Sequence, residues 1–293
     1  MSSLFPDYSR SRLQEWIRCG AATVDGVVVP AKHKVLGGEH IALRAEADPS
    51  TRIEAQDIPV QVVYEDEAVL ILDKPAGLVV HPAAGHQDGT LQNALLNHAP
   101  ALATIPRCGI VHRIDKDTSG LLMVAKTLES HKQLVDQLQS RSVNREYLAL
   151  VHGAMTGGGT IDEPIGRHST DRKRFAVRVG GKPAITHYRI ADRFVAHTLV
   201  AVKLETGRTH QIRVHMSHIH YPLVGDPVYS GRPRIPAGAS QKLLDTLRNF
   251  RRQALHASSL GILHPTSGIY MEWQAPLPGD FKMLLDELRS GQP

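Results

Sequence analysis

Cysteine, long apolar runs and cofactor-binding motifs are the features that this sequence lacks or has little of. Its two cysteines, Cys19 and Cys108, stand far apart and outside any CxxC or zinc-ligand spacing. No apolar run approaches the ~20 residues of a membrane-spanning helix, and the first residues contain no apolar signal segment. This pattern argues against a disulfide-stabilised secreted domain and against a membrane protein. We expect a cytoplasmic protein with reduced thiols.

The chain also lacks the sequence patterns of common cofactors and metals. It contains no GxGxxG dinucleotide-binding motif. The histidines at positions 210, 215, 218 and 220 raise the question of a metal site. Their spacing matches neither HExxH nor a cysteine-rich zinc pattern, and no nearby Glu or Cys completes a ligand set. The sequence therefore predicts no bound metal and no cofactor.

The charge balance favours a polyanionic partner. The 293 residues carry 34 Lys and Arg against 29 Asp and Glu, which gives a net charge of +5 with neutral histidines. The sequence pI is about 9.2. Such a balance suits binding to a nucleic acid, although an ordinary basic enzyme can have it as well.

Composition divides the chain into two predicted domains. Residues 1–45 form a small basic unit with one helix and a hairpin whose Asp25-Gly26 turn supplies positive φ angles. Residues 46–58 are polar and acidic and indicate a linker. In residues 59–293 strands and helices follow each other irregularly, which predicts an α+β fold on a mixed, mainly antiparallel sheet with flanking helices. The basic residues of the first unit form either an RNA-facing surface or a solvated face: Arg10, Arg12, Arg18, Lys32 and Lys34.

The densest cluster of chemically active side chains is the segment HRIDKDTSG, His112–Gly120. It lies in a predicted turn against an apolar strand, 121–125, and reacting groups are commonly placed on loops of a rigid scaffold. Asp115 and Asp117 are both candidate catalytic carboxylates, and their spacing alone does not separate them. The alternative is a polar turn that hydrogen-bonds to itself through Asp117 and Thr118.

A second segment, Leu204–His215, combines the end of a strand with the start of a helix. We predict that the strand ends at Gly207 and that a helix covers Thr209–His220. Free N–H groups in the first turn of such a helix suit a phosphate, and Arg208 and Arg213 add positive charge. The histidines of this segment are predicted to be packed or to face RNA.

Two further segments are less specific. Tyr147 begins a strand in REYLALV, where a core tyrosine is the ordinary interpretation. Pro75 and Gly77 in LDKPAGLVVHP fix a turn after a strand, and a structural corner is the better interpretation there.

Together and in this order, these segments resemble the RluA family of pseudouridine synthases, and within it the RluD branch, which acts on large-subunit ribosomal RNA. The resemblance covers almost the whole chain, in the blocks DKPAGLVVHP, HRIDKDTSG, REYLALVHG, LETGRTHQIRVHMSHIHYPLVGDPVY and ALHASSLGILHP. The HRxDxxTSG and GRTHQIRVH blocks are highly specific, and residues 9–45 resemble an S4 RNA-binding domain, an α/β module. Slight departures occur at Asp73, Ile114 and Ser230, where Asn, Leu and Gly are common.

The resemblance implies roles for individual residues. Asp115 corresponds to the essential aspartate of the family, Arg213 to the basic residue that pairs with it, and Tyr147 to the tyrosine beside the flipped base. Arg113 corresponds to the arginine that occupies the gap left by that base. Three further residues are expected to contact RNA: His112, Arg208 and His210.

The resemblance also implies a function. We expect a monomer that isomerises specific uridines to pseudouridine in 23S ribosomal RNA, either naked or within pre-ribosomal particles. It would flip the base, cleave the glycosidic bond and re-form it through carbon, with Asp115 as the essential group and no cofactor. The open alternatives are the same chemistry on transfer RNA, a non-catalytic RNA-binding assembly factor, and a metal-dependent nuclease built on the histidines.

Overall fold

The protein is described by a computed structural model that covers residues 4–5, 10–44, 53–82, 86–171, 174–231, 235–236 and 238–290. Contacts between Cα atoms divide the chain into two compact units, Met1–Ile53 and Glu54–Pro293. The end of the predicted linker belongs to the second unit, because the Glu54 carbonyl accepts a hydrogen bond from the Asn93 side chain and the Gln56 side chain accepts one from the Gly89 N–H.

The first unit packs one helix against a small antiparallel sheet. Its elements are α1 (Arg10–Arg18), β1 (Ala22–Val24), β2 (Val27–Val28) and β3 (Ile41–Leu43). The strand order is β2-β1-β3, and Leu13 and Trp16 of α1 are buried. Asp25 and Gly26 have φ angles of 48° and 78°, so the predicted helix and the predicted hairpin turn are both confirmed.

The second unit is built on a large sheet, which has nine strands within the described residues. They are β4 (Gln61–Glu65), β5 (Val69–Lys74), β6 (Ser119–Ala125), β7 (Asn144–His152), β8 (Gly159–Asp162), β11 (Ile185–Arg193), β12 (His197–Leu204), β13 (Leu255–Leu263) and β14 (Tyr270–Gln274). The order is β4-β5-β6-β13-β7-β12-β11-β8, and β14 pairs with β13. Among the named strands of the described residues, β6 and β13 alone pair in parallel, which confirms the predicted mixed, mainly antiparallel sheet. Strands β9 (Ile165–Arg167) and β10 (Phe175–Val177) form a separate two-stranded sheet.

Helices cover the sheet and complete two hydrophobic clusters. They are α2 (Leu91–His98), α3 (Leu128–Gln139), α4 (Gln211–His218), α5 (Gln241–Asn249) and α6 (Gly279–Ser290), with short 3-10 helices at Pro100–Thr104 and Pro106–Gly109. Helices α5 and α6 pack with Leu150 and Leu199 in one cluster, and α3 packs with Met123 and Ile262 in the other. In the part of the chain that is described, no helix has both the length and the apolar character needed to cross a membrane.

Helix α4 is shorter than the predicted helix Thr209–His220, and its prediction was wrong at both ends. His210 adopts a left-handed conformation with φ 57° and ψ 22°, so the helical geometry begins only at Gln211. The Gln211 side chain turns back and accepts hydrogen bonds from the Thr206 hydroxyl and the Arg208 N–H, which stabilises this start.

Gly120 links the HRIDKDTSG segment to the sheet at the parallel pairing of β6 with β13. Its φ angle is 107°, and it pairs with Ala257 of β13. A Cβ atom built on Gly120 would lie 2.2 Å from the Ala257 carbonyl oxygen. Glycine is therefore required here both by conformation and by the close approach of the two backbones.

We predict that Gly120→Ala lowers the free energy of unfolding by at least about 2 kcal/mol, because the methyl group forces the two backbones apart in a strained conformation. Urea unfolding measures this change. The matched control is Gly157→Ala, since a Cβ atom at Gly157 meets nothing within 4 Å. Equal unfolding midpoints for the two variants would contradict the requirement.

Candidate active site

A cavity of about 90 Å³ opens between the HRIDKDTSG segment, strand β7 and the start of helix α4. It brings together seven of the residues predicted from sequence: His112, Arg113, Asp115, Tyr147, Arg208, His210 and Arg213. The predicted RNA-facing basic residues lie in the first unit, apart from the unit that contains this cavity. Arg18, Lys32 and Lys34 are exposed, and the side chains of Arg10 and Arg12 lie outside the described part of the structure. Asp115 lines the cavity and Asp117 does not, so the structure separates the two carboxylates.

A buried arginine connects two carboxylates at the base of this cavity. Arg213 Nη1 donates to Asp115 Oδ2 at 2.9 Å. On its other edge, Nε and Nη2 of Arg213 donate to the two oxygens of Asp226 at 2.7 and 2.9 Å. The guanidinium carbon also lies 5.1 Å from the centre of the Tyr229 ring. This arrangement fixes the plane of Arg213 and leaves its Nη1 to donate to Asp115.

The charge of Arg213 is maintained despite its burial. Burial alone would lower the pKa of Arg213, but the hydrogen bonds and charge of Asp226, together with Asp115, raise it above its ordinary value. The Asp226 side chain is fully buried and also accepts hydrogen bonds from the N–H groups of Val228 and Tyr229. Asp115 is the more accessible carboxylate, with 17% of its side chain exposed. Of the two carboxylates that pair with Arg213, Asp115 is therefore the one that lines the cavity.

Lys74 and strand β13 hold the backbone of the segment that carries Asp115. Lys74 is 1% exposed, and its ammonium group donates to three carbonyl oxygens, those of Pro75, Leu78 and Lys116. Burial lowers the pKa of Lys74 to about 7, against the opposing charges of Asp117 and Asp115. The turn after β5 is thus tied directly to the backbone beside Asp115.

The other side of the segment is held from β13 and the residues before it. Arg252 donates to the Asp117 carbonyl at 3.3 Å, and Gln253 donates to the Thr118 hydroxyl at 3.1 Å. The Ser119 hydroxyl lies 3.0 Å from His256 Nδ1. These contacts explain part of the polar density of the segment after Asp115, because the Asp117 carbonyl and the Thr118 and Ser119 hydroxyls each have a specific partner.

His210 faces Asp115 from the start of helix α4. Its Nδ1 lies 2.8 Å from the Tyr229 hydroxyl, and that hydroxyl accepts a hydrogen bond from the Phe175 N–H. Burial lowers the pKa of His210, the opposing charge of Asp115 notwithstanding, so the ring is neutral near pH 7. When the Tyr229 hydroxyl donates to Nδ1, the single N–H of the neutral His210 ring is at Nε2, and this nitrogen lies 3.9 Å from Asp115 Oδ2.

His112 and Tyr147 complete the walls of the cavity. His112 Nε2 accepts a hydrogen bond from the Met123 N–H at 3.0 Å, and burial lowers the pKa of His112 to about 3. The imidazole is therefore a neutral anchor for the segment, and it brings no charge to RNA. Tyr147 is 7% exposed, and burial raises the pKa of its hydroxyl, so the phenol is protonated at neutral pH.

The histidines of helix α4 do not gather around one point. Both ring nitrogens of His215 have partners, the Thr186 hydroxyl at 2.8 Å and the Glu163 carbonyl at 3.0 Å. Among the residues with described positions, no group of three His, Cys, Asp or Glu side chains is arranged as metal ligands would be. His215 is therefore a packed histidine, one of the two interpretations given for this segment.

We predict that Asp226→Asn lowers the free energy of unfolding by roughly 3 kcal/mol, because it leaves the buried Arg213 with half of its compensating charge. Urea unfolding checks this value, with Asp245→Asn on the exposed face of α5 as the control. A loss no larger than that of the control would show that Asp226 does not stabilise Arg213.

Comparison with known proteins agrees with this geometry. The sequence profile of the RNA pseudouridylate synthase family matches residues 68–218. Ribosomal large subunit pseudouridine synthase D of Pseudomonas aeruginosa is 61% identical over 288 residues, covering 98% of this chain and 90% of that protein. The protein of the same name from Escherichia coli is 56% identical over 291 residues, covering 99% and 89%. The solved structure of human RNA pseudouridylate synthase domain containing 4 matches with a TM-score of 0.60 and 25% identity, covering 78% of this chain and 93% of that one.

The matched profile includes Asp115, Tyr147 and Arg213, the residues that surround the cavity. The chain therefore belongs to the RNA pseudouridylate synthase family.

Proposed function

We propose that this pseudouridine synthase modifies large-subunit ribosomal RNA and that Asp115 is its catalytic carboxylate. The observation that carries the second part is the 2.9 Å contact between the buried, charged Arg213 and Asp115, which lines the cavity described above. The substrate is inferred from the two bacterial relatives, whose names specify the large ribosomal subunit.

The reaction requires an ionised carboxylate. Uracil leaves ribose C1′ by cleavage of the N1–C1′ bond, turns within the site and rejoins through a new C5–C1′ bond. C5 loses a proton and N1 gains one, so the product is an isomer and no electron acceptor is needed. Asp115 serves this sequence either by attacking the sugar or the uracil ring, or by stabilising and deprotonating a sugar intermediate. Both routes need the anion, and the adjacent Arg213 favours that form over the neutral acid. Retention of the cleaved base makes its re-addition efficient.

The target base must leave its helical stack before it reaches Asp115. This extrusion costs on the order of a few kcal/mol, because stacking and base pairing are lost. Arg113 is exposed at the cavity and is assigned to the gap left by the base, where a guanidinium plane stacks well. Tyr147 presents an aromatic face for stacking on uracil, and its hydroxyl is a proton carrier. Arg208 and His210 lie beside them and are assigned to the same nucleotide region.

The finer parts of the proposal concern the cellular substrate. We assign the enzyme to the cytoplasm as a monomer that acts on naked ribosomal RNA or on pre-ribosomal particles. The first unit, with exposed Arg18, Lys32 and Lys34, is assigned as an S4-like RNA-binding domain. Pseudouridine mapping on ribosomal and transfer RNA from cells that lack the protein tests the substrate. Loss of pseudouridine only from transfer RNA would overturn it.

We predict that Asp115→Asn reduces pseudouridine formation by about 10³-fold or more, because the amide can neither attack nor accept a proton as the carboxylate does. Single-turnover assays on large-subunit RNA measure the rate, and RNA binding stays within a few-fold of wild type. Asp117→Asn is the matched control, since Asp117 contributes its backbone carbonyl to Arg252 and lies outside the cavity lining. Wild-type turnover by the Asp115 variant would refute the assignment.

We predict that replacing Arg18, Lys32 and Lys34 together by Gln weakens RNA binding and lowers the slope of log K against log salt by up to about 2–3, because each phosphate contact releases counterions. Titrations at several salt concentrations measure the slope. The single-turnover rate at saturating RNA stays unchanged, because the chemistry resides in the second unit. An unchanged slope would remove these residues from the RNA surface.

A further inference from the structure

A second cavity, here called the side cavity, adjoins the candidate active site. Its volume is about 750 Å³, and it shares the wall formed by His112, Arg113, Arg145, Gly207 and Arg208 with the cavity that contains Asp115. Arg107 and Arg141 lie further along its lining. Neither the family resemblance nor the proposed chemistry gives a role to Arg145, Arg107 or Arg141.

Arg145 is a buried cation that lacks a compensating anion. It is 7% exposed, and its hydrogen bond from Nη2 goes to the neutral backbone carbonyl of Glu205 at 3.1 Å. Its Nε is buried without a hydrogen-bond partner. Among the described residues, none of the ion pairs within 4.0 Å includes Arg145. Burial lowers the pKa of Arg145, whereas the equally buried Arg213 has two carboxylate partners and a raised pKa. The two arginines therefore differ in compensation, not in depth.

A buried guanidinium without a negatively charged partner lowers the stability of the fold, because it has lost its hydration without gaining an opposite charge. Such a group is expected where a ligand supplies the missing charge. Arg145 stands two residues before Tyr147 on strand β7, and both side chains line the active-site cavity. A Cβ atom on Gly207 would lie 2.9 Å from Arg145 Nη1, so the glycine leaves open the space beside the guanidinium. The unsatisfied cation therefore lines the same cavity as Tyr147 and Asp115.

The surroundings favour an anion over a neutral group. The lining acid, Glu205, is already paired with Arg141 at 3.0 Å and lies 2.7 Å from His187. Because the pKa of His112 is lowered to about 3, its ring is neutral and does not compensate the charge of Arg145. Exposed guanidinium groups at the rim, those of Arg107, Arg113 and Arg208, raise the positive potential further.

We infer that the side cavity is a phosphate subsite, in which Arg145 binds a backbone phosphodiester of the RNA strand next to the target uridine. The inference rests on the proposed function, because it takes RNA as the substrate. The backbone carbonyl of Glu205 accepts only one of the N–H groups of Arg145. The planar guanidinium can therefore present its unused N–H groups to two phosphate oxygens. This contact positions the strand while Tyr147 and Asp115 act on the extruded nucleotide.

The test replaces single phosphates near the target uridine by uncharged methylphosphonates. With the wild-type enzyme, one position is expected to weaken RNA binding by roughly tenfold, the size of one lost charged hydrogen bond. With Arg145→Met, RNA binding to the all-phosphate substrate is expected to fall by a similar factor, and the same methylphosphonate is expected to have no further effect. Arg145→Lys keeps the charge and is expected to recover part of the affinity and the sensitivity at that position.

Thermal unfolding separates a binding role from a structural role. Because Arg145→Met removes a buried, unpaired charge, its melting temperature is expected to equal or exceed that of wild type. The control is Arg248→Met on the exposed face of α5, which should retain both wild-type affinity and the methylphosphonate effect. If no single phosphate near the uridine matters to the wild type, or if the effect persists in Arg145→Met, the subsite is overturned.

These outcomes are distinguishable from failure of the proposed function. Wild-type enzyme that binds the RNA but forms no pseudouridine would refute the proposed substrate, whatever Arg145 does. Wild-type enzyme that forms product while Arg145→Met responds to every methylphosphonate as wild type does would refute the subsite alone.

Discussion

The candidate active site depends on one buried guanidinium shared between two carboxylates. Arg213 carries its charge into the protein because Asp226 is held beside it as a fully buried partner with two contacts. That fork uses one edge of the guanidinium and directs the remaining Nη1 at Asp115. With two carboxylates around one cation, the partly exposed Asp115 is the group through which the cluster can react, while Asp226 determines where it stands.

The backbone around Asp115 is as constrained as its side chain. Lys74 binds the Lys116 carbonyl from one side, and Arg252 binds the Asp117 carbonyl from the other. Gly120 then brings the chain into β6 at a backbone distance that no other residue fits. The role proposed for Asp115 requires such rigidity, because small displacements of a reacting group have large effects on rate.

Local patterns predicted much of this fold, and distant partners explain what they missed. The helix of the first unit and the Asp25-Gly26 turn follow from local periodicity and turn chemistry within a few residues. Residue chemistry did not separate Asp115 from Asp117, since the partner that distinguishes them, Arg213, lies 98 positions away. Asp226 and Lys74 carried no local signal, because their significance comes from the buried groups that the fold places around them. The start of α4 was misplaced because the left-handed His210 is set by its contacts with Tyr229 and Asp115.

Arg213 and Arg145 show how one cleft can use the same side chain in two ways. The charge of Arg213 is balanced by two carboxylates of the protein, so Arg213 is a fixed cation that holds Asp115 in place. Arg145 is left with one neutral acceptor, so its attraction for an anion remains available. If Arg145 had been paired with a carboxylate of its own, the cleft would be more stable and would attract the RNA backbone less. The uneven compensation of the two cations thus separates the group that organises chemistry from the group suited to hold the strand.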